Sequence, residues 1–324
     1  MDILTLKPSV KSTIWGGRKL MDEYGFVPDD PCADNAAEAW VLSGHKDGPS
    51  YVRGGMFSGM TLNEAIRVAG RQVLGTHCEG IPGFPILIKL IDACDKLSLQ
   101  VHPGDEYARR VENENGKTEA WYVLEAKPGA TLLYGVNREM TREEFAADIR
   151  SNTVLNDVNA VKVKAGDVVF IPSGMLHAIG EGIFLAEVQQ SSNTTYRVYD
   201  YDRRDKKGNP RDLHVEKATD VADLTVADVN FAPKGEPVST EGAVKTLLTD
   251  CRFFSMTSVS VDGTYEDAAG AESFVSLLVL SGSGEIEGKK KTIPLNKGCS
   301  VFIPAGYGSF RVSGKGMKLL ETRV

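Results

Sequence analysis

Four side chains in three short stretches could together hold one metal ion: Gln100 and His102 in LSLQVHPGDEY, Glu119 in KTEAWYVLE, and His177 in GDVVFIPSGMLHAIG. Gln100 and His102 are two residues apart in an apolar, alternating segment, a spacing that puts both on one face of a strand. Pro103 and Gly104 end that strand. Lys117, Glu119 and Trp121 repeat the alternation, so a cation, a carboxylate and an indole face the same way. His177 follows the run Val168 to Ile171 and a turn at Pro172, Ser173 and Gly174, which places it at the start of a returning strand. Imidazole nitrogen, carboxylate oxygen and amide oxygen form a mixed set suited to zinc, with iron, manganese, cobalt or nickel compatible on ligand type. A catalytic ion keeps a position open, so Gln100 reads as the weaker ligand of a site able to expand to five or six. The competing reading makes His102 and His177 hydrogen-bonded core histidines and Glu119 half of a structural ion pair. The occurrence of all four on consecutive strands favours the metal.

The scaffold that must position them is constrained by composition. The 324 residues fit one large or two moderate domains with a substantial core. A formal charge of −7 and a pI near 5.4 argue against nucleic acid or an anionic membrane as partner, so an anionic substrate must meet a local basic pocket. The opening MDILTLKPSVKS has neither the basic segment nor the apolar core of a signal peptide. The apolar run Phe84 to Ile91 is interrupted by Lys89 and is too short to span a membrane. Five scattered cysteines without a C-x-x-C pair fit reduced thiols in a cytoplasm.

One segment recurs. GDVVFIPSGMLH, from Gly166 to His177, reappears 132 residues later as GCSVFIPAGYGS, from Gly298 to Ser309. More weakly, Tyr122 to Gly129 overlays Leu278 to Glu285, an offset of 156. Short strands with Gly/Pro turns, occurring twice, predict a mainly β protein of two cupin or jelly-roll barrels from an internal duplication, with short helical insertions in the N-terminal half. In the second copy His177 becomes Ser309 and Glu119 becomes Val275, which leaves one working site and one structural barrel. Capping boxes at Thr61 to Glu64 and Thr141 to Glu144 predict helices to about Val68 and Arg150, and Asp105 to Glu112 reads as a third. Arg203 to Arg211 reads as a solvated loop. Pro, Gly, Ser and Thr collect between Ala232 and Val244, predicting a catalytic domain over 1–235 and a C-terminal cupin-like domain without metal ligands over 236–324.

The stretches PILIKLIDACDKLSLQVHPGDEYA, KTEAWYVLEA and AGDVVFIPSGMLHAIGEGIFLAEVQQSSNTTYRVYDYDR, with WGGRKL and Glu38-Ala-Trp40, resemble the type I mannose-6-phosphate isomerases in their short bacterial form. The likeness runs from Trp15 to about Arg203, with a cupin-like tail. It implies a zinc-dependent interconversion of mannose 6-phosphate and fructose 6-phosphate in a cupin barrel, with one Zn2+ per chain. Its metal ligands fall on Gln100, His102, Glu119 and His177, and its active-site arginine on Arg197. Lys117 matches its K-x-E motif, and Ser98 and Lys96 lie near its phosphate-binding region. The chain is too short for the full helical insertion of the long eukaryotic members, so residues from that region have no counterpart here.

An aldose-ketose isomerase moves a proton between C1 and C2 and must stabilise an enediolate oxygen. A divalent ion meets the second need and Arg197 adds a fixed positive charge. For the base, Glu187 comes first: it lies ten residues after His177, so one unbroken strand would put both on the same face. A metal-bound water or hydroxide comes second and Lys117 third. Ser98, Lys96, Lys117 and Arg197 are the candidates for binding phosphate. The alternatives are an iron-dependent cupin dioxygenase, a metal-free nucleotide-sugar epimerase and a non-catalytic sugar-binding cupin. The expected partner is a small sugar phosphate; the oligomeric state is left open, with a monomer favoured.

Overall fold

Strands Ile86–Ala93 and Ile183–Gln190 are buried along their whole length, and their near-continuous apolar sequence has a structural cause: both faces of the sheet they centre are covered. The computed structural model describes residues 1–204 and 208–324. In it, these two strands form the middle of a six-stranded antiparallel sheet, in the order Val168–Ile171, Glu119–Ala126, Ile183–Gln190, Ile86–Ala93, Glu38–Ser43 and Ser9–Lys11. One face carries Ile88, Leu90, Ala120, Tyr122, Ala186 and Val188, packed against Phe274, Leu278, Phe302 and Leu320 of the C-terminal sheet. The other face looks onto a five-stranded sheet, ordered Tyr196–Tyr199, Leu99–Val101, His177–Ala178, Thr131–Val136 and Val158–Lys162. Trp121, Val123, Ile91 and Leu185 meet Leu132 and Tyr134 across that interface. The outer face of the five-stranded sheet, with Val101 and Val198, is covered by Phe145 and Ile149 of helix Arg142–Ser151 and Ala218 of helix Val215–Val221.

The register fixes what points into the space between these two sheets. Paired residues on neighbouring strands share a face, so Trp121, Glu187, Lys89 and Trp40 form one row across the six-stranded sheet, with Glu119 and Gln189 in the next. Opposite them, Tyr134, His177, Gln100 and Arg197 form one row across the five-stranded sheet.

The expected helices occur at Leu62–Ala69, Asp105–Val111 and Arg142–Ser151, and both predicted capping boxes make their two reciprocal hydrogen bonds. The protein is mainly β, but its sheets are open and do not close into barrels; the two sheets around the site meet face to face through side chains. The five-stranded sheet ends at Tyr196–Tyr199 and Val158–Lys162, and among the described residues neither edge pairs onward with a strand of the six-stranded sheet. The expected division at residue 235 is crossed by the chain's own start. Leu4–Lys7 pairs with Ser300–Ile303 and with Tyr51–Arg53, placing two N-terminal strands in the nine-stranded C-terminal sheet. Within the expected polar loop, Asp205, Lys206 and Lys207 lie outside the described residues.

The recurring segment has recurring geometry. Val168–Ile171 and Ser300–Ile303 are both strands, with Gly166 at φ +96° and Gly298 at φ +82° before them. Tyr122 pairs with Val168 as Leu278 pairs with Ser300, and Glu119 pairs with Ile171 as Val275 pairs with Ile303. The N–H of Val123 donates to the Asp167 carbonyl and that of Val279 to the Cys299 carbonyl, each at 2.9 Å. The two offsets thus describe one antiparallel strand pairing present twice, first in a six-stranded sheet and then in a nine-stranded one.

Candidate metal centre

His102 sits one residue beyond strand Leu99–Val101, where Pro103 has ended the ladder, and His177 opens its own two-residue strand. Glu119 begins the facing strand Glu119–Ala126, and Lys117 lies just before it. All four side chains are buried: Glu119 and His177 are 0% exposed, His102 1% and Lys117 4%. One ligand atom from each of His102, Glu119 and His177 lies within 4.8 Å of the other two, the one such group among the described residues.

Hydrogen bonds define which atoms meet. His102 Nδ1 is 2.9 Å from the Thr194 carbonyl oxygen and His177 Nδ1 is 2.8 Å from that of Met175. A carbonyl only accepts, so each Nδ1 carries the proton and each Nε2 presents a lone pair. Both rings stay neutral: burial, followed by the neighbouring Lys117 charge, pulls the His102 pKa well below its ordinary value and brings that of His177 to about 3. The two Nε2 atoms nevertheless face each other at 3.1 Å. Glu119 Oε1 lies 3.3 Å from His177 Nε2 and is buried without a hydrogen-bond donor, and its Oε2 lies 3.5 Å from His102 Nε2. Three acceptors converging in a dry space repel one another unless a cation stands among them. The Lys117 ammonium partly meets that need, at 2.9 Å from His102 Nε2 and in contact with Glu119. The residues therefore fit a divalent metal: two neutral imidazoles with carbonyl-anchored second nitrogens and one carboxylate. The Gln100 side-chain amide reaches within 3.4 Å of His177 Nε2, and rotation of the amide brings its oxygen to the same place.

Glu187 is brought to the same inter-sheet space, but its surroundings differ from those expected of a base. Lys89 Nζ lies 2.8 Å from Oε1, and Trp121 Nε1 donates to Oε2 at 2.8 Å. Burial alone would raise the Glu187 pKa; Lys89 and Lys117 override it and hold the carboxyl below its usual range. Burial raises the Glu119 pKa, and the Glu187 charge adds to that rise. The strand-parity argument for Glu187 also fails. His177–Ala178 belongs to the five-stranded sheet, and the chain turns at Gly182 (φ +79°) before Ile183–Gln190 enters the six-stranded one. Glu187 faces the site because it crosses to the opposite wall.

Arg197 pairs in register with Gln100 and forms no ion pair with Asp200 or Asp202. Its Nη1 donates to the Asp212 carbonyl at 3.0 Å, and its buried Nε has no hydrogen-bond partner among the described residues. Asp200 is taken by Arg203 and Arg211. Burial lowers the Arg197 pKa, and Arg211 and Arg203 add repulsion that Asp200 and Asp212 oppose. Ser98 is buried, while Lys96 is exposed, its ammonium 5.5 Å from the Tyr201 ring centroid. Arg203 donates to the Lys96 carbonyl, which brings it beside the segment leading to Ser98.

Sequence reasoning missed Lys89, Arg203 and Arg211 as part of these surroundings. The signal for Lys89 was present: a lysine at the centre of an otherwise apolar strand needs a buried counter-charge.

Comparison with known proteins agrees with this architecture. Residues 3–131 match the family model for the phosphomannose isomerase type I catalytic domain, and residues 243–321 match that for the mannose-6-phosphate isomerase cupin domain. The chain is 37% identical over 312 residues to mannose-6-phosphate isomerase ManA of Bacillus subtilis (strain 168), covering 96% of each. A crystal structure of the mannose 6-phosphate isomerase from Bacillus subtilis superposes with a TM-score of 0.89 at 35% identity over 100% of both chains. A zinc-bound mannose 6-phosphate isomerase, 16% identical, shares the fold at a TM-score of 0.75 over 99% of both chains. A likeness that runs nearly end to end, on a scaffold whose facing sheets bring these donors together, makes the chain a member of the type I mannose-6-phosphate isomerase family.

Proposed function

We propose that this chain interconverts mannose 6-phosphate and fructose 6-phosphate, with one Zn2+ held by His102, Glu119, His177 and, more weakly, Gln100. The observation that carries the reading is the 3.1 Å approach of two Nε2 lone pairs beside a donorless carboxylate oxygen, which asks for a cation with affinity for nitrogen and oxygen. A zinc ion bound there supplies Lewis-acid polarisation of the C1 and C2 oxygens of the sugar.

The protein's own groups divide the remaining work. Arg197, positively charged and partly unpartnered, stabilises negative charge developing on the sugar oxygens. Glu187 is held by Lys89 and Trp121, so Lys117, acting as its neutral amine, is the side chain we assign to take the proton from one of C1 and C2 and return it to the other; its Nζ borders the donor cluster. Glu187 and Lys89 hold Trp121, whose ring meets His177 edge-on with centroids 5.4 Å apart, and so orient that imidazole. The phosphate is assigned to Ser98, with Arg197, Arg203 and Lys96 providing charge. Five unpaired thiols support a reducing compartment, the cytoplasm. All donors come from one chain, which supports a monomer as the working unit. We read the repeated strand pairing as a duplication, with residues 1–235 carrying the site and 236–324 bracing it through their shared core.

The test is metal analysis of purified protein together with a coupled assay on mannose 6-phosphate. Stoichiometric zinc and formation of fructose 6-phosphate are expected; iron with oxygen uptake, or sugar binding without turnover, would replace the proposal by one of the alternatives. Arg197→Ala is expected to retain its metal while the rate falls by about 10²- to 10³-fold, the size of effect seen when one charge-stabilising donor is removed. Loss of zinc in that variant would make Arg197 a structural residue.

A further inference from the structure

A second concavity lies far from the donor cluster in topology, against the nine-stranded sheet, and encloses about 760 Å³. One side is apolar: Met56, Phe57 and Val68 line it, with Met56 87% and Val68 61% exposed. The other side is cationic, with Lys289, Lys290 and Lys291 on the hairpin turn between Val275–Glu287 and Thr292–Asn296, and Arg53 at the end of strand Tyr51–Arg53. The turn is closed by the Gly288 N–H donating to the Lys291 carbonyl at 3.0 Å, and it is tied to Tyr307, whose hydroxyl accepts from the Lys289 N–H at 2.6 Å. Among the described residues none of these four exposed cationic side chains forms an ion pair, and the Lys289 ammonium lies 4.9 Å from the Tyr307 ring centroid. Asp2, the carboxylate lining the cavity, already accepts from the Tyr307 hydroxyl and the Ile3 N–H.

Four solvent-exposed cations around one cavity stand out in a chain of net charge −7, and their summed field attracts an anion into it. The volume lies within the range of small-molecule sites. The apolar wall opposite the charges is suited to a flat ring system. We propose that this cavity binds a nucleoside triphosphate, the polyphosphate lying across Lys289, Lys290, Lys291 and Arg53 and the base against Met56, Phe57 and Val68. This site is separate from the zinc centre, and its occupancy does not depend on the isomerase reading.

Titration of the zinc-loaded full chain with a fluorescent N-methylanthraniloyl ATP, in magnesium excess and with zinc content checked afterwards, tests the assignment. Saturable binding is expected, displaced by ATP, displaced much less well by tripolyphosphate or adenosine alone, and not displaced by mannose 6-phosphate. The exposed pair Lys289→Glu and Lys291→Glu, combined in one chain, should weaken binding about tenfold or more while leaving turnover of the sugar phosphate unchanged. Absence of binding, equal affinity in the charge-reversed variant, equal competition by tripolyphosphate, or displacement by mannose 6-phosphate would each overturn the proposal.

Discussion

Replacing His177 by Ala is expected to strip the protein of its metal and to lower kcat/KM by about a thousandfold or more. The imidazole is fully buried, with Nδ1 fixed by the Met175 carbonyl and Nε2 aimed at His102 and Glu119, so its removal takes away one of the two nitrogen donors of the cluster. Losing even an outer partner of a metal ligand costs about 10- to 100-fold in affinity, and losing a ligand costs at least that. The rate effect follows from removing a Lewis acid worth several kcal/mol in the transition state, where about 1.4 kcal/mol is tenfold. Metal content by mass spectrometry and turnover in the coupled assay read the two effects separately. Unfolding curves for the variant and for chelator-treated parent guard against a trivial loss of structure. Stoichiometric zinc with normal turnover in the variant would sink the assignment of this cluster as the metal centre.

The convergence of His102, Glu119 and His177 was legible because it depends on local periodicity. Gln100 lies on strand Leu99–Val101 and His102 continues its alternation one residue beyond, Glu119 opens strand Glu119–Ala126, and the turn at Pro172 to Gly174 delivers His177 to the partner sheet. The capping boxes at Thr61 and Thr141 were legible for the same reason, since each is a contact within four residues. What the sequence concealed is non-local. Nothing in MDILTLK announces that Leu4–Lys7 will pair with Ser300–Ile303, because that choice is made by two apolar edges nearly 300 residues apart. Glu187 shows the same limit: parity within one strand carried the argument for it, while the actual chain turns at Gly182 and changes sheets. Its neighbours were set by cross-strand register, which put Lys89 on one side and Trp121 on the other. A reading confined to one strand sees a carboxylate free to act as base, whereas the sheet shows one already engaged.

That engagement has a measurable consequence. Lys89→Met is expected to destabilise the protein by about 3–5 kcal/mol, the cost of leaving one half of a buried ion pair uncompensated. Lys89 and Glu187 are 5% and 3% exposed, and water cannot replace the missing partner. Burial opposes the lysine's charge, but Glu187 and then Glu38 override it and raise the Lys89 pKa, so in the native protein the pair is held as two charges. Removing the ammonium leaves Glu187 with the Trp121 N–H and the Lys117 charge alone, which favours proton uptake or movement of the carboxylate and disturbs the indole that orients His177. Combining Lys89→Met with Glu187→Leu removes both charges together and should recover most of the lost stability. The unpaired Trp121 N–H would keep about 1–3 kcal/mol of the deficit. Urea unfolding at fixed zinc concentration gives the stabilities, and the coupled assay on the same preparations gives the activity. A single variant within 1 kcal/mol of the parent, or a double variant less stable than the single, would contradict a paired, buried Glu187. A double variant that is stable, zinc-loaded and wholly inactive would return Glu187 to the role of base and remove Lys117 from it, because stability and chemistry would then have separated at that one carboxylate.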